Sequence, residues 1–295
     1  MADTPSIGAL STLCLDAATP FDVSSEPYEF VRENLRLIQN HVESQGVRGT
    51  RSRRKERTKI GSTDVSGSIT MNPSVTEIDL LLPRILGGAT AAGVTDVANT
   101  VPEFQVMIDR IAKVHSYTGC KVARATLRGT KGQPIELTLD IEGEGGSVGA
   151  AGGYPAITID TDATFFIFSE ATLTLQSTSR LIEEFTLVID NNLRADRRFN
   201  SLNRVNMPAL DRRVTIGTTV PYTPDNTDLE EQAIAGAAGI LVLTDGTTTY
   251  TVNFANVKSE SESPSVAGRD EISLALQRMT AYSDATNSEC KWTKT

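Results

Sequence analysis

The sequence is poor in the residues that build metal sites, disulfide frameworks and membrane spans. Only three cysteines and two histidines occur in 295 residues, without CxxC or HExxH spacing, so we expect no zinc site and no disulfides but three free, mostly buried thiols. The longest uncharged runs, Gly145–Ile159 and Gln232–Thr244, are shorter than the roughly 18 apolar residues of a membrane-spanning helix. No basic segment precedes an apolar run at the amino terminus, so neither a secretory signal nor membrane association is expected.

The patterns that mark common enzyme sites are missing too. The glycine-rich stretch 143–153 does not fit GxGxxG, because Val148 stands in the place of the third glycine, and a flexible connector is predicted there. Adjacent carboxylates such as Glu183 and Glu184 have no histidine or lysine beside them, which favours a solvated acidic surface over acid–base catalysis. We therefore predict no enzyme, no cofactor and no metal.

Charge is distributed unevenly along the chain. The net charge is −9, but the segment Arg48–Lys59 carries +6, which leaves −15 on the remainder. This segment contains no aromatic residue that could stack on bases, and the acidic remainder would repel nucleic acid. We therefore favour docking of the segment onto an acidic patch of an identical neighbour, with a DNA-binding module as the alternative. The basic residues of the segment are Arg48, Arg51, Arg53, Arg54, Lys55, Arg57 and Lys59.

Alternation of apolar and polar residues predicts that antiparallel strands dominate the fold. Two segments, Gln133–Gly143 and Arg180–Asn192, alternate so regularly that one face of each is predicted to be buried and the other wet. The residues predicted to point inward are Ile135, Leu137, Leu139 and Ile141 in the first segment and Leu181, Phe185, Leu187 and Ile189 in the second. The acidic residues predicted on the wet faces are Glu136, Asp140, Glu142, Glu184 and Asp190.

Further strands are predicted from the same alternation and from residues of high β-propensity. They span Val65–Met71, Phe104–Ile108, Lys121–Arg128, Phe165–Leu175, Arg213–Val220, Ile240–Thr244, Thr248–Phe254 and Glu271–Tyr282. Turn residues at Thr130–Gly132 and at Asp245–Gly246 predict two β-hairpins.

Two helices are predicted, one in each half of the chain. The first begins at Ser74, where a capping box with Glu77 starts the apolar periodicity, and it ends at Leu86 before two glycines. Pro83 lies inside this helix and predicts a kink or a break at the preceding residue. The second helix is predicted over Asp225–Ala235.

The order of these elements repeats along the chain. Each half consists of a strand, a basic loop, a strand, a helix, a strand and paired final strands, and the two basic loops are Arg48–Lys59 and Arg194–Arg204. We therefore predict a mainly β protein with two tandem antiparallel β-sandwich or barrel domains, each flanked by one α-helix. The predicted bounds are residues 1–22 for an amino-terminal arm, 23–146 for the first domain, 147–160 for a glycine-rich linker, 161–283 for the second domain and 284–295 for a carboxy-terminal tail.

Four stretches of the sequence form a pattern of their own: the basic residues 46–57, VSGSITMNP at 65–73, EIDLLLPRILGG at 77–88, and LVIDNNL at 187–193 followed by RVTIG at 213–217. Together they carry a resemblance to the tail tube proteins of long-tailed bacteriophages. It implies tail-tube-like domains that assemble into rings, with the rings stacked helically into a hollow tube. It also implies a lumen lined by acidic side chains and long loops that reach neighbouring subunits and rings.

The resemblance gives the singled-out residues roles in assembly. The basic residues of 48–59, together with Arg197 and Arg198, are expected to make contacts between subunits and rings. The five carboxylates Glu136, Asp140, Glu142, Glu184 and Asp190 are the candidates for the lining of the lumen. With two domains in each chain, a ring would contain three chains with pseudo-sixfold symmetry, and with one domain per chain it would contain six.

The resemblance also implies partners and a location. The expected partners are further copies of the chain and the terminator, tape-measure and tail-tip proteins of the tail, while double-stranded DNA passes through transiently for ejection without specific binding. The expected location is the virion tail, after assembly in the host cytoplasm. A related ring component of a tail tip or of a secretion apparatus is the alternative with the same fold.

Overall fold

The computed structural model describes most of the chain. The described residues are 7–17, 21–22, 24–47, 49–157, 159, 163–226, 229, 236–259, 263–264, 266, 269, 271–285 and 287–295. Strands account for 52% and helices for 9% of the structure, which confirms the prediction of a mainly β fold. The strands in the described ranges are β1 (Thr12–Asp16), β2 (Glu26–Tyr28), β3 (Arg32–Glu33), β4 (Arg36–Glu43), β5 (Thr58–Met71), β6 (Val94–Asp96), β7 (Phe104–Asp109), β8 (Val114–Thr130), β9 (Glu136–Gly143), β10 (Gly145–Gly149), β11 (Ala171–Leu175), β12 (Thr178–Arg180), β13 (Glu184–Asp190), β14 (Arg213–Pro221), β15 (Ala237–Thr244), β16 (Thr249–Lys258), β17 (Ser273–Tyr282) and β18 (Lys291–Lys294). An α-helix described over its full length, α1, spans Val75–Leu86.

Eight of these strands form a continuous antiparallel sheet to which both halves of the chain contribute. Their order across the sheet is β4, β5, β9, β8, β13, β14, β17 and β16. The four strands of the first half are thus arranged in the same order as their counterparts in the second half. The halves join where β8 pairs with β13, from Arg124 opposite Asp190 to Thr130 opposite Glu184. The two halves are therefore parts of one sheet, and their division into two domains stays a prediction.

A second, smaller sheet contains β2, β1, β7, the first part of β8, and β10. Strand β8 belongs to both sheets because its 17 residues pair first with β7 and β10 and then, from Lys121 onward, with β9. Gly119 lies just before this change of partners with a φ of +60°, a left-handed conformation that favours glycine. One hydrophobic core includes residues of both sheets and of α1.

Helix α1 begins as its sequence predicts. The Ser74 hydroxyl accepts a hydrogen bond from the Glu77 backbone N–H at 3.3 Å, and the Glu77 carboxylate accepts one from the Ser74 N–H at 2.8 Å. The helix ends at Gly87, whose φ of +87° is the left-handed stop. The expected break at Pro83 does not occur, because the helix continues to Leu86. Pro83 lies in the last turn, where its missing N–H removes one backbone hydrogen bond without ending the helix.

Replacing Ser74 with alanine is expected to lower the free energy of unfolding by about 1–2 kcal/mol, because the variant leaves the Glu77 N–H without its acceptor in a buried setting. Urea denaturation monitored by circular dichroism measures this change. Thr76→Ala, at an exposed position in the same turn, is the matched control and should change stability by less than about 0.5 kcal/mol. Equal effects of the two substitutions would show that the cap does not stabilise the helix.

The predicted carboxy-terminal tail, 284–295, contains strand β18 at Lys291–Lys294. Strand β18 pairs on one side with β16 of the second half and on the other with β6 of the first half. Its central residue, Trp292, is buried and packs edge-on against Tyr250 with ring centroids 6.1 Å apart. Tyr250 donates a hydrogen bond to the Asp79 carboxylate of α1 at 2.6 Å. This strand therefore connects α1 with both halves of the molecule.

The glycine-rich linker predicted over 147–160 begins later than its composition indicates. Gly145–Gly149 is strand β10, paired with Val114–Thr118, because glycine residues fit a strand whose neighbours approach closely. The Cβ of any other residue at 146 would lie 2.9 Å from the Ser116 carbonyl oxygen. Among the described residues of the predicted linker, 150–157 and 159 lack regular structure.

Other local predictions have mixed outcomes. Both predicted hairpin turns are confirmed, and Gly132 and Gly246 have the positive φ that such turns need. All three cysteines are free and buried, and burial raises the pKa of Cys14 to about 11. The inward position predicted for Leu181 is wrong: β13 begins only at Glu184, and Leu181 lies exposed in the preceding turn.

The two remaining element predictions concern the second half. The strand predicted from Phe165 begins only at Ala171, because a short 3₁₀ helix precedes it. Most of the helix predicted over Asp225–Ala235, namely 227–228 and 230–235, lies outside the described residues. Within the described part, a 3₁₀ turn spans Pro224–Asn226, and Leu229 is helical and buried.

Candidate functional site

The five carboxylates singled out from the sequence lie on one face of the main sheet. Asp140 of β9 is opposite Arg124 of β8, which in turn is opposite Asp190 of β13, so the three side chains form one row. We call this surface the polar face. It includes Ser66, Ser68 and Thr70 of β5, Glu136, Thr138, Asp140 and Glu142 of β9, Arg124, Thr126 and Arg128 of β8, and Glu184, Thr186 and Asp190 of β13.

The other face of the same strands is covered by α1. Ile78, Leu82 and Ile85 of the helix face Leu127 and Leu187 of the sheet across a small gap of about 20 Å³. The residues around this gap are apolar, so it offers water no hydrogen-bond partners and the space behind the sheet stays dry. The polar face is therefore the side of the sheet that is available to water or to a passing molecule.

The polar face contains two arginines, Arg124 and Arg128, that were not predicted as site residues from the sequence. The Arg124 guanidinium binds the Asp190 carboxylate at 2.7 Å, and Arg128 lies 3.5 Å from Glu184. Both pairs connect β8 of the first half with β13 of the second. Each pair is about half-exposed and contributes at most about 1 kcal/mol. Their placement could have been predicted, because Arg124, Thr126 and Arg128 alternate with apolar residues within the predicted strand Lys121–Arg128.

Burial and charges of both signs act on Asp140 at the centre of the polar face. Partial burial raises the pKa of Asp140 above its ordinary value, Arg124 opposes this shift, and the carboxylates of Glu142 and Asp190 add to it. The pKa of Arg124 is raised in turn by its hydrogen bond to Asp190. The pKa of Asp140 is therefore raised mainly by burial, with charges of both signs beside the carboxylate.

The predicted basic segment is the tip of a projecting hairpin. Strands β4 and β5 pair as far as Glu43 opposite Thr58, so residues 44–57 form the tip, and Arg48 lies outside the described residues. We call residues 39–47 and 49–63 the basic arm. Its cations Arg51, Arg53, Arg54, Lys55, Arg57 and Lys59 are all exposed. The ion pair between Arg53 and Glu43, at 3.6 Å, leaves the Arg53 side chain 88% exposed.

Apolar side chains on the basic arm are exposed as well. Val47 is fully exposed, Val42 is 61% exposed, and Ile60 is 39% exposed. Exposed β-branched residues beside a cluster of like charges are typical of a surface that another protein covers. The arm therefore has both the charge and the apolar area for a contact between molecules.

The second basic loop, Arg194–Arg204, lies within the connection between β13 and β14, residues 191–212. This connection, which we call the loop 191–212, folds back onto the first half instead of projecting. Its Leu202 carbonyl oxygen accepts a hydrogen bond from the Thr63 N–H at 2.8 Å. Arg204 forms an ion pair with Asp64 at 2.8 Å and a second one with Glu142. The loop thus connects the second half to the edge of β5 and to the polar face.

Arg197 and Arg198, which were predicted to make contacts between subunits, form interactions within their own chain. Arg198 binds the Asp64 carboxylate, and its side chain is 25% exposed. Arg197 donates to the Asn206 carbonyl oxygen at 3.1 Å and lies over the Phe199 ring at 4.9 Å. Their contacts between subunits stay a prediction, while the exposed basic arm is the stronger candidate.

Arg204→Ala is expected to lower the free energy of unfolding by about 3 kcal/mol. The substitution leaves the partly buried Glu142 carboxylate without its arginine and leaves the buried Asp64 carboxylate with Arg198 alone. Equilibrium urea unfolding gives the value. Arg194→Ala removes an exposed arginine from the same loop and should cost less than about 1 kcal/mol. If Arg204→Ala were as stable as Arg194→Ala, the loop would not be held by this ion-pair network.

Neither a membrane span nor a metal site is found among the residues that the structure describes. No helix there is long and apolar enough to cross a membrane, and no group of three or more histidine, cysteine, aspartate or glutamate side chains is arranged to hold a metal ion.

Comparison with known proteins gives one clear match. A family model described as phage tail tube protein matches residues 4–281, which is nearly the whole chain. No curated protein matches the sequence. The matched range includes the basic arm and the strands of the polar face but ends before β18.

Proposed function

The chain belongs to the phage tail tube protein family and is a structural subunit of the virion tail, and from this premise we propose that its copies join into rings that stack as a conduit for DNA ejection. The polar face of the main sheet then lines the bore. The work of the protein is to hold a passage open, without catalysis. Copies of the chain and the other tail proteins, such as the terminator, tape-measure and tail-tip proteins, are its partners.

The observation that carries this proposal is the continuous sheet across both halves. Strand β8 joins β13 edge to edge, so the polar face already extends over two repeats of the same strand order within one chain. In the described part of the chain, β4 pairs only with β5, which leaves the outer edge of the sheet available for another strand. A neighbouring copy that joins there would extend the polar face around a ring and remove the exposed edge.

The number of repeats supports three chains per ring. A ring of six sheet units is reached by three chains when each chain contributes two similar units, and such a ring has pseudo-sixfold symmetry. Six chains per ring is the alternative. We propose that assembly takes place in the host cytoplasm and that the rings stack helically.

The charges of the polar face suit passage of DNA without binding. Carboxylates lining a narrow channel repel phosphates, which keeps DNA from adhering to the wall. Arg124 and Arg128 hold Asp190 and Glu184 in place and moderate that repulsion, so that DNA can still enter. The polar face has five carboxylates; Arg124 and Arg128 lie on its own strands, while Arg32 and Arg204 pair with Glu136 and Glu142 from outside them.

The double variant Glu136→Gln and Glu184→Gln is expected to form tubes of normal length and to slow DNA release roughly threefold to tenfold, because phosphates are repelled less by the wall. Phage complemented with the variant would be triggered in vitro, and the release of DNA would be followed with a fluorescent dye. Glu29→Gln with Glu271→Gln changes the charge equally at exposed positions outside the polar face. Unchanged release by the first variant would contradict a bore lined by the polar face.

Two simpler experiments separate the proposed function from its alternatives. Negative-stain microscopy of concentrated protein should show long tubes of uniform width, whereas isolated rings would favour a tail-tip or secretion-apparatus component. A gel-shift titration with duplex DNA at low salt should show no strong binding. Tight binding by the unassembled chain would favour the DNA-binding alternative.

A further inference from the structure

The repeated strand order makes positions in the two halves directly comparable. Val65 of β5 is opposite Gly143 of β9, and Val214 of β14 is opposite Ala281 of β17 in the same arrangement. Lys121 of β8 is opposite Glu142, the residue before Gly143, and Lys258 of β16 is opposite Thr280, the residue before Ala281. The two lysines therefore correspond as well. By this register Thr63 and Asp64 in the first half correspond to Arg212 and Arg213 in the second, and Glu142 corresponds to Thr280.

In the first half, the position marked by Thr63, Asp64 and Glu142 is covered by the loop 191–212. The loop is held by the backbone hydrogen bond from Thr63 to Leu202 and by the ion pairs of Arg198 and Arg204 with Asp64. The loop comes from the hairpin of β13 and β14, which is the next unit along the sheet. One unit thus reaches across its neighbour at a defined position.

In the second half the corresponding position is an open cleft of about 440 Å³. Its lining residues are Asp190, Asn192, Asp211, Arg212, Arg213, Thr280, Ala281 and Tyr282. Asp211 is exposed, and the Tyr282 side chain is about half-exposed. No segment within the described ranges fills this cleft as the loop 191–212 fills its counterpart.

The segment that corresponds to the loop 191–212 is the basic arm. Both connect the two paired strands that begin a unit, β4 with β5 and β13 with β14. The loop has partners within its own chain, whereas the arm projects with its cations and with Val42 and Val47 exposed. A single chain therefore has one exposed segment of this kind, the basic arm, and one open cleft at the position where such a segment binds in the first half.

We propose that the basic arm of one chain occupies the cleft between β14 and β17 of a second copy. This inference rests on the proposed function, because it assigns the contact through which neighbouring copies join. The contact is head-to-tail, which closes into a ring when the rotation permits. It repeats between chains the contact that the loop 191–212 makes between the two halves of one chain.

The side chains of the cleft give this contact its own chemistry. Arg213 stands where the first half has Asp64, so the ion pair of Arg204 cannot be copied there. Asp211 supplies an exposed carboxylate for an arginine of the arm. The Tyr282 ring already has a cation of its own chain over it, because Lys258 Nζ lies 5.6 Å from the ring centroid. Arg212 is already bound to Glu289 at 2.9 Å, and Asp190 to Arg124, so neither charge needs a new partner.

Cross-linking between two variants, each with one added cysteine, tests the contact. Chains with Arg53→Cys in the arm are mixed with chains that have Asp211→Cys in the cleft, assembled and oxidised. The native thiols are all buried and do not compete. We expect a disulfide-linked dimer, reversible with reductant, at a yield roughly tenfold above the control mixture, because docking raises the effective concentration of the two thiols.

The control mixture combines Arg53→Cys with Thr247→Cys, which lies exposed in the turn between β15 and β16. Tubes that assemble normally but give no more arm–cleft dimer than this control would overturn the inference and leave the proposed function intact. Protein that stays monomeric at high concentration would overturn both. Each single variant oxidised alone gives the background of symmetric dimers.

Discussion

Trp292→Ala is expected to lower the free energy of unfolding by about 3–5 kcal/mol, the range for a large aromatic residue removed from a packed core. Trp292 lies in β18 between a strand of each half, and its ring contacts the layer formed by Ile78 and Leu82 of α1 and the main sheet. The substitution leaves a cavity at the junction of helix and sheet. Equilibrium denaturation in guanidinium chloride, followed by intrinsic fluorescence and circular dichroism, measures the change.

Thr293→Ala is the matched control for this substitution. Thr293 is the next residue of β18, has the same strand partners and is only partly buried, so its replacement should cost less than about 1 kcal/mol. The comparison separates packing of the indole from pairing of the strand. A Trp292→Ala variant as stable as the control would mean that β18 does not stabilise the contact between α1 and the halves.

The triple variant Arg51→Glu, Arg53→Glu and Arg54→Glu is expected to abolish assembly and to leave the folded monomer intact. The three side chains are exposed at the tip of the basic arm, so their replacement removes little that stabilises the monomer. At a contact between copies, the reversal replaces attraction with repulsion and costs several kcal/mol. Sedimentation velocity measures assembly, and the midpoint of thermal unfolding reports on the fold.

A second charge-reversal variant controls for the change in net charge. Lys113→Glu, Lys131→Glu and Arg278→Glu alter the charge by the same amount at exposed positions outside the arm and should assemble normally. If both triple variants failed to assemble, net charge rather than the arm would decide the outcome. Normal assembly of the arm variant would remove the arm from the contacts between subunits.

Features encoded within a few residues were predictable from the sequence. Alternation over Gln133–Gly143 placed Glu136, Asp140 and Glu142 on one face because side chains of a strand point to opposite sides in turn. The capping box of Ser74 and Glu77 depends on residues three positions apart and was found for the same reason.

Features that depend on distant partners were not predictable in the same way. Neither segment alone indicates that β8 pairs with β13, because the choice of neighbour depends on the whole sheet. Strand β18 has only four residues, too few for a clear alternation, and its role follows from the burial of Trp292. The fold of the loop 191–212 likewise depends on Asp64, more than a hundred residues away.

A cryo-electron microscopy reconstruction of the assembled tube, viewed along its axis, tests the central claim most directly. We expect three chains per ring, with β5, β9, β8 and β13 of every chain facing the bore and with Glu136 and Asp140 projecting into it. Helix α1 should lie on the outer side of these strands. A tube in which α1 faces the bore, or in which the polar face points away from it, would contradict the claim.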